Sequence, residues 1–243
     1  MYSISQAADA ARPTTPAADA LPRLQKLFGF GGAKARYKDH PGRVIRCMDP
    51  FSGNLEAFKS PLKYENWLLR RFDPQVDYLN ASGDAWAILC AGEQIHVKPQ
   101  LVWAHAGQRG FLEIVEEPGR AITETQARAL QLVARAHQMR SSIRRVDEIR
   151  DSLRLLELLD RIRQCMALHY TDLREESWTE RIAEHVNEHR KCARGDLLAE
   201  LLPRFPGCTE QLVDSALFWL RQHQHIFFDI EGGAYGDATV ISC

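Results

Sequence analysis

QIHVKPQLVWAHAGQRGFLEIVEE, residues 94–117, holds two apolar-rich runs, QIHVKPQLVWA at 94–104 and GFLEIVEE at 110–117, parted by a Gly-containing turn. Short runs rich in Val, Ile, Leu and Trp and bounded by Gly predict two strands. Pro99 lies inside the first run and has no N–H to give a ladder, so an edge or a bulge is expected there. DAWAILC at 84–90 predicts a third strand immediately upstream.

Helices flank these strands. Ser60 followed by Pro61 predicts a helix start, because the hydroxyl can accept a free backbone N–H and proline is tolerated at the first helical position. Leu62, Leu68 and Leu69 give that helix an apolar side, and Phe72-Asp73-Pro74 ends it. Downstream, Thr123 and Gln126 have the spacing of a capping box, and Ala127, Leu130, Val133, Ala134 and His137 recur at helical spacing towards Met139. SIRRV at 142–146 predicts a further strand. From Asp147 a Leu-rich helix is expected, with Leu155, Leu158, Leu159, Ile162 and Met166 on one stripe, bridging two domains.

The remaining segments, WTERIAEHVNEHR, LLAELLPRF and TEQLVDSALFWLRQHQH, predict three helices, and IFFDIEGGAYGDATVI predicts a hairpin around Gly232-Gly233. Helices followed by a hairpin suggest a winged helix. The expected fold class is therefore α/β (α+β), a mixed sheet core followed by a helical, winged-helix-like domain.

The chain has 243 residues, 45% hydrophobic and 26% charged, a balance that excludes wholesale disorder. Residues 1–22, rich in Ala, Thr and Pro in their first part, are expected to be a disordered leader. Cys47, Cys90, Cys165, Cys192, Cys208 and Cys243 show no paired short spacing, so neither a disulfide framework nor a Cys-type zinc site is expected. Cys90 and Cys165 are expected to be buried, unreactive thiols. No basic start precedes an apolar block and no window reaches the ~20 apolar residues of a spanning helix. A cytoplasmic protein with no membrane partner is expected.

Charge is unevenly placed. Between Arg23 and Arg71 stand eleven Lys or Arg against four acids, a net +7 segment that suits either phosphate contact or a solvated basic face. Residues 190–243 hold five Lys or Arg against seven acids.

Three stretches in order, SPLKYENWLLRRFDPQV (60–76), VKPQLVWAHAGQRGFLEIVEE (97–117) and RRVDEIRDSLRLLELLDRIR (144–163), resemble the TnsA-like endonuclease subunits of heteromeric transposases. The Phe-Asp-Pro at 72–74 and the Ile-Arg at 149–150 are the more specific matches. The resemblance implies a restriction-endonuclease-like core over 23–168 and a winged-helix-like domain over 169–243. It implies DNA, a transposase subunit and an ATPase regulator as partners. In that family acidic groups hold Mg²⁺ and a lysine helps activate water, chemistry that needs oxygen ligands for a hard cation.

At the positions that match, the chemistry has been replaced. Lys63 stands where the resemblance implies a helix glutamate, Gln100 where it implies the aspartate after Pro99, and Val115 where it implies the lysine. Glu113 alone remains as the strand acid. A site so altered loses the charge that holds a divalent cation, so no cofactor is expected. Mg²⁺ enters only if ligands have migrated to Glu65 and Glu113 with Lys98, which lies two residues before Gln100. Lys59, Lys63, Arg70 and Arg71 are the expected DNA contacts. The expected function is that of an inactive TnsA-like subunit in DNA-end binding or scaffolding. The alternatives are an endonuclease with migrated residues and a protein-binding adaptor without DNA contact.

Other constellations carry less. His185 and His189 lie four apart on one predicted helix with Cys192 following, a zinc-compatible spacing on what otherwise reads as a solvated polar face. His223 and His225 carry the same two readings. Trp67, Trp86 and Trp103 could stack bases but fall on elements that must bury an apolar face. The helix TEQLVDSALFWLRQHQH offers one Arg and many apolar residues, which favours protein contact over base reading.

Overall fold

The computed structural model describes residues 44–81, 85–90, 93–105, 107–175 and 177–243, with Leu89, Cys90 and Glu93 described by their backbone alone. The expected leader, the basic residues from Arg23 to Arg43 and the Cys90 thiol lie outside the described residues. Strand β1 (Ile45–Met48) pairs antiparallel with β2 (Leu55–Phe58), and α1 (Pro61–Arg71) follows. Ser60 caps α1 by accepting from the Lys63 N–H at 3.4 Å. Next come β3 (Val76–Asn80), β4 (Trp86–Cys90), β5 (Glu93–Val97), β6 (Leu101–His105) and β7 (Phe111–Val115). Helix α2 (Glu124–Ala136) then leads to β8 (Arg140–Arg144).

Strands β3, β6, β7 and β8 form a four-stranded sheet in that order, and β4 and β5 form a separate antiparallel hairpin. β6 and β7 are antiparallel, with Leu101 opposite Glu113 and Trp103 opposite Phe111. Arg140 N donates to Gly110 O and Glu116 N to Arg144 O, so β8 runs the same way as β7. The sheet is mixed, as expected.

The run 94–104 is not one strand. It breaks at Lys98-Pro99-Gln100 into β5 and β6, which belong to different sheets. Pro99 supplies the cause, since it cannot donate to a ladder, while Gln100 N restarts pairing by donating to Glu113 O at 2.8 Å.

Period two then sorts the side chains. Val102 and Leu112 share a buried cluster with Ala129, Leu130, Val133 and Ala134 of α2. Leu101, Trp103, Phe111 and Glu113 take the opposite face of the sheet. The capping box of α2 is present: Thr123 Oγ1 accepts from Gln126 N, and Gln126 Oε1 from Thr123 N.

The helix expected from Asp147 is two. A short α3 (Val146–Ile149) precedes α4 (Leu153–Leu168), whose Ser152 cap accepts from Leu155 N at 3.3 Å. Leu156, Leu158, Leu159, Ile162 and Met166 of α4 are buried. Then follow α5 (Tyr170–Arg174), α6 (Ser177–His189), β9 (Lys191–Ala193), α7 (Arg194–Arg204), α8 (Glu210–Gln222) and β10 (Val240–Ser242). Among the described residues, no helix is long and apolar enough to cross a membrane.

The hairpin does not turn tightly at Gly232-Gly233. Residues Glu231–Gly233 form a single 3₁₀ turn, β10 pairs with β9, and Phe227 bridges Ser242. Gly233 has φ +78° and a Cβ there would stand 2.5 Å from the Arg154 carbonyl carbon, so the turn rests against the start of α4.

Two compact units divide the chain. Among the described residues the first holds Asp77–Ile114 and Ile122–Ile143, and the second the residues up to Val76, Val115–Ala121 and Arg144–Cys243. Helix α4, expected as a bridge, belongs wholly to the second.

In that second unit the side chain of Arg194 is buried among carboxylates. Its Nε and Nη2 donate to Asp214 at 2.7 and 3.0 Å, Nη1 to Asp237 at 2.7 Å, and Nη2 also to Glu210. Tyr235 Oη completes the group by donating to Asp214 at 2.6 Å. These bonds tie α7, α8 and the segment before β10 together.

Candidate functional site

Glu113, the strand acid that the resemblance implies, is 0% exposed. Trp103 Nε1 donates to its Oε2 at 3.2 Å, a diagonal contact across the β6–β7 pair. Trp103 in turn stacks on Phe111, with ring centroids 4.0 Å apart and planes 8° apart. The carboxylate is therefore buried, with Oε2 held by Trp103.

Gln100 is half-buried at the mouth of β6. The common orientation of Lys98 and Gln100 assumed an unbroken strand, and the break at Pro99 removes that alternation. Lys98 is exposed in the connection between β5 and β6. Val115 is buried with Leu62 and Ile149, and Leu69 and Val146 pack on the same cluster.

Lys63 lies in the first turn of α1, where its Nζ stands 3.1 Å from Glu117 Oε1. Burial alone would raise the Glu117 carboxyl. Hydrogen bonds from Ser60 and Lys63, with the charges of Lys63 and Arg120, outweigh that and hold it below its ordinary value. Glu65, the alternative helix ligand, is clasped by Arg150, whose Nε and Nη2 donate to its two oxygens at 2.7 and 3.0 Å. Ile149 and Arg150, the pair that carried the resemblance, thus both hold α1: one by packing on Leu62, the other through Glu65.

These residues do not fit Mg²⁺. A hard cation needs oxygen ligands that are free to turn to it. The helix position is an ammonium already paired with an acid, the strand carboxylate is enclosed, and Glu65 is committed to a guanidinium. No catalytic step follows from such a set.

The expected DNA contacts differ in how much charge they leave to solvent. Lys59 is exposed and Arg70 half-buried. Arg71 Nε donates to Asp49 Oδ1 at 2.7 Å, and its guanidinium lies 4.6 Å from the centre of the Phe51 ring. Lys63 and Arg71 are thus neutralised locally.

Further along, α8 is buried from Leu212 through Phe218. The polar residues of its end point inward to the turn after α1: Arg221 Nη1 donates to Phe72 O at 3.0 Å and Gln222 Nε2 to Asp73 O at 3.0 Å. Just beyond the helix, Gln224 Nε2 donates to Pro74 O at 2.7 Å. The Phe-Asp-Pro motif is a receptor for three side chains. Sequence reading missed these partners, as it missed Glu117 and Arg150, because nothing local to either member signals the other. No protein-family model matches the chain, and no curated protein matches it.

Proposed function

We propose that the chain is a catalytically inactive TnsA-like subunit of a heteromeric transposase or mobile-element complex, acting in DNA-end binding or scaffolding. The order of α1, β3, β6, β7, α2 and β8, with sheet order β3-β6-β7-β8, supports a restriction-endonuclease-like core. The succession α6, β9, α7, α8, the Phe227 bridge and β10 supports a winged-helix-like C-terminal part.

One observation carries the loss of catalysis: Glu113 is fully enclosed and accepts from Trp103, instead of presenting oxygens to a metal and a phosphate. The migrated alternative is disfavoured by the bidentate Arg150–Glu65 pair, which would have to break first. Because α8 directs Arg221 and Gln222 at backbone carbonyls of its own unit, the C-terminal part is assigned to protein contact, with a transposase subunit or an ATPase regulator as the partner class. DNA contact falls to the basic segment ending at Arg71.

A nicking assay on supercoiled and linear duplex with Mg²⁺ or Mn²⁺ tests the proposal. No metal-dependent cleavage is expected. Cleavage that disappears in Glu113→Ala, in a protein shown to remain folded by circular dichroism, would reject it.

A further inference from the structure

Among the described residues, one group of His, Cys, Asp and Glu side chains brings three potential ligand atoms within 4.8 Å of one another: His185, His189 and Glu200. The spacing of His185 and His189 accounts for two of them, since residues four apart on a helix lie on one face. Their rings are 4.3 Å apart between centroids. Glu200 comes from α7, which starts at Arg194 just after α6 ends at His189, and its Oε1 lies 3.4 Å from His185 Nδ1. The group closes with Glu200 and not with Cys192.

We infer that His185, His189 and Glu200 form a site for a divalent first-row transition ion, best suited to Zn²⁺, that braces α6 against α7. Two imidazoles and a carboxylate are a ligand set zinc accepts, leaving a fourth position for water.

The surroundings favour this chemistry. His185 is among the few polar side chains buried among the described residues, at 8% exposure, so its ring is held in place. His189 Nδ1 lies 2.9 Å from the His185 carbonyl oxygen, which can only accept. Donation from Nδ1 to that oxygen leaves Nε2 as the ligand nitrogen of the neutral ring, the outer-sphere arrangement that orients a metal-binding histidine.

Ligands of a tetrahedral ion bonded at about 2.0–2.1 Å stand roughly 3.3 Å apart, so the cluster must tighten. Glu200 has the freedom to do so, its side chain being 43% exposed. The competing charge is Arg204, whose Nη1 is 3.5 Å from Glu200 Oε1 in an exposed pair. Such pairs contribute little and yield readily to a dication.

The test uses the full chain, stripped with chelator and titrated calorimetrically with Zn²⁺, and with Co²⁺ for its visible ligand-field bands. One equivalent is expected, with tetrahedral Co²⁺ bands. His189→Ala and Glu200→Gln, both at exposed positions the fold tolerates, should each weaken Zn²⁺ by more than about 100-fold, since losing even an outer-sphere partner costs about 10–100-fold. His223→Ala with His225→Ala should leave the equivalent in place. Absence of one-to-one uptake, or uptake unaffected by His189→Ala and Glu200→Gln, overturns the assignment. None of these residues bears on the nuclease-like face, so either conclusion can fail alone.

Discussion

At Lys63 an ammonium stands where the TnsA-like pattern implies a carboxylate, and Glu117 meets it at 3.1 Å. Both side chains are about a quarter exposed, so the pair is screened, and a double-mutant cycle with Lys63→Met and Glu117→Gln should return a coupling of about 0.2–1 kcal/mol. Its pH dependence has a definite sign. The folded Glu117 carboxyl lies below its ordinary value, so its contribution is complete above the unfolded value of about 4.3 and is lost as pH falls through the folded one. Glu117→Gln should therefore flatten the acid limb of a stability profile, and an unchanged limb would show that the pair does not form in solution. That Lys63, Gln100 and Val115 stand in place of metal-binding groups is what the resemblance to TnsA-like subunits implies. The partners Glu117 and Arg150 were not legible in the sequence, because they lie 54 and 85 residues from Lys63 and Glu65.

Element starts were the most legible part of the fold. Ser60 and Thr123 announce their helices through chemistry confined to three residues, and both caps are present. The run 94–104 reads as one strand because periodicity does not say which sheet a segment joins. Pro99 marked the place of the break without revealing that two sheets part there. The end of α1 was visible in Phe72-Asp73-Pro74, but not its receptor role for α8. That role has a measurable consequence. Arg221 is drawn below its ordinary value by burial, partly offset by Asp73 and Asp229, and donates to the Phe72 and Phe228 carbonyls. Arg221→Ala leaves both acceptors without that donor in a buried place, so a loss of about 1–3 kcal/mol is expected in chemical denaturation. Gln224→Ala, at an exposed site, should cost less than about 1 kcal/mol. Equal effects would mean that the α1–α8 joint is not closed in solution.

Among the described residues the chain is interleaved in a way that a linear boundary cannot express: the second unit takes up those before Asp77, from Val115 to Ala121 and again from Arg144. Hydrophobic periodicity identifies faces to be buried but not which distant segment buries them, so α1, the Leu-rich α4 and the C-terminal helices could not be placed together from sequence. Charge is different, because its distribution is written along the chain, although its availability is not. Net charge is −1 overall, while residues 23–71 carry a net +7. Phosphate contact by a cation releases counterions, and each contact adds about 0.9 to the slope of log affinity against log salt. Lys59 is exposed, whereas Arg71 is already bound to Asp49 beneath the Phe51 ring. If the basic segment meets DNA, Lys59→Ala should lower the duplex-binding slope by about 0.9, while Arg71→Ala leaves it nearly unchanged. Fluorescence anisotropy over a salt series measures both. A slope lowered equally by the two substitutions would show that the Asp49–Arg71 pair opens to DNA, and no salt-dependent affinity at all would favour the protein-binding adaptor.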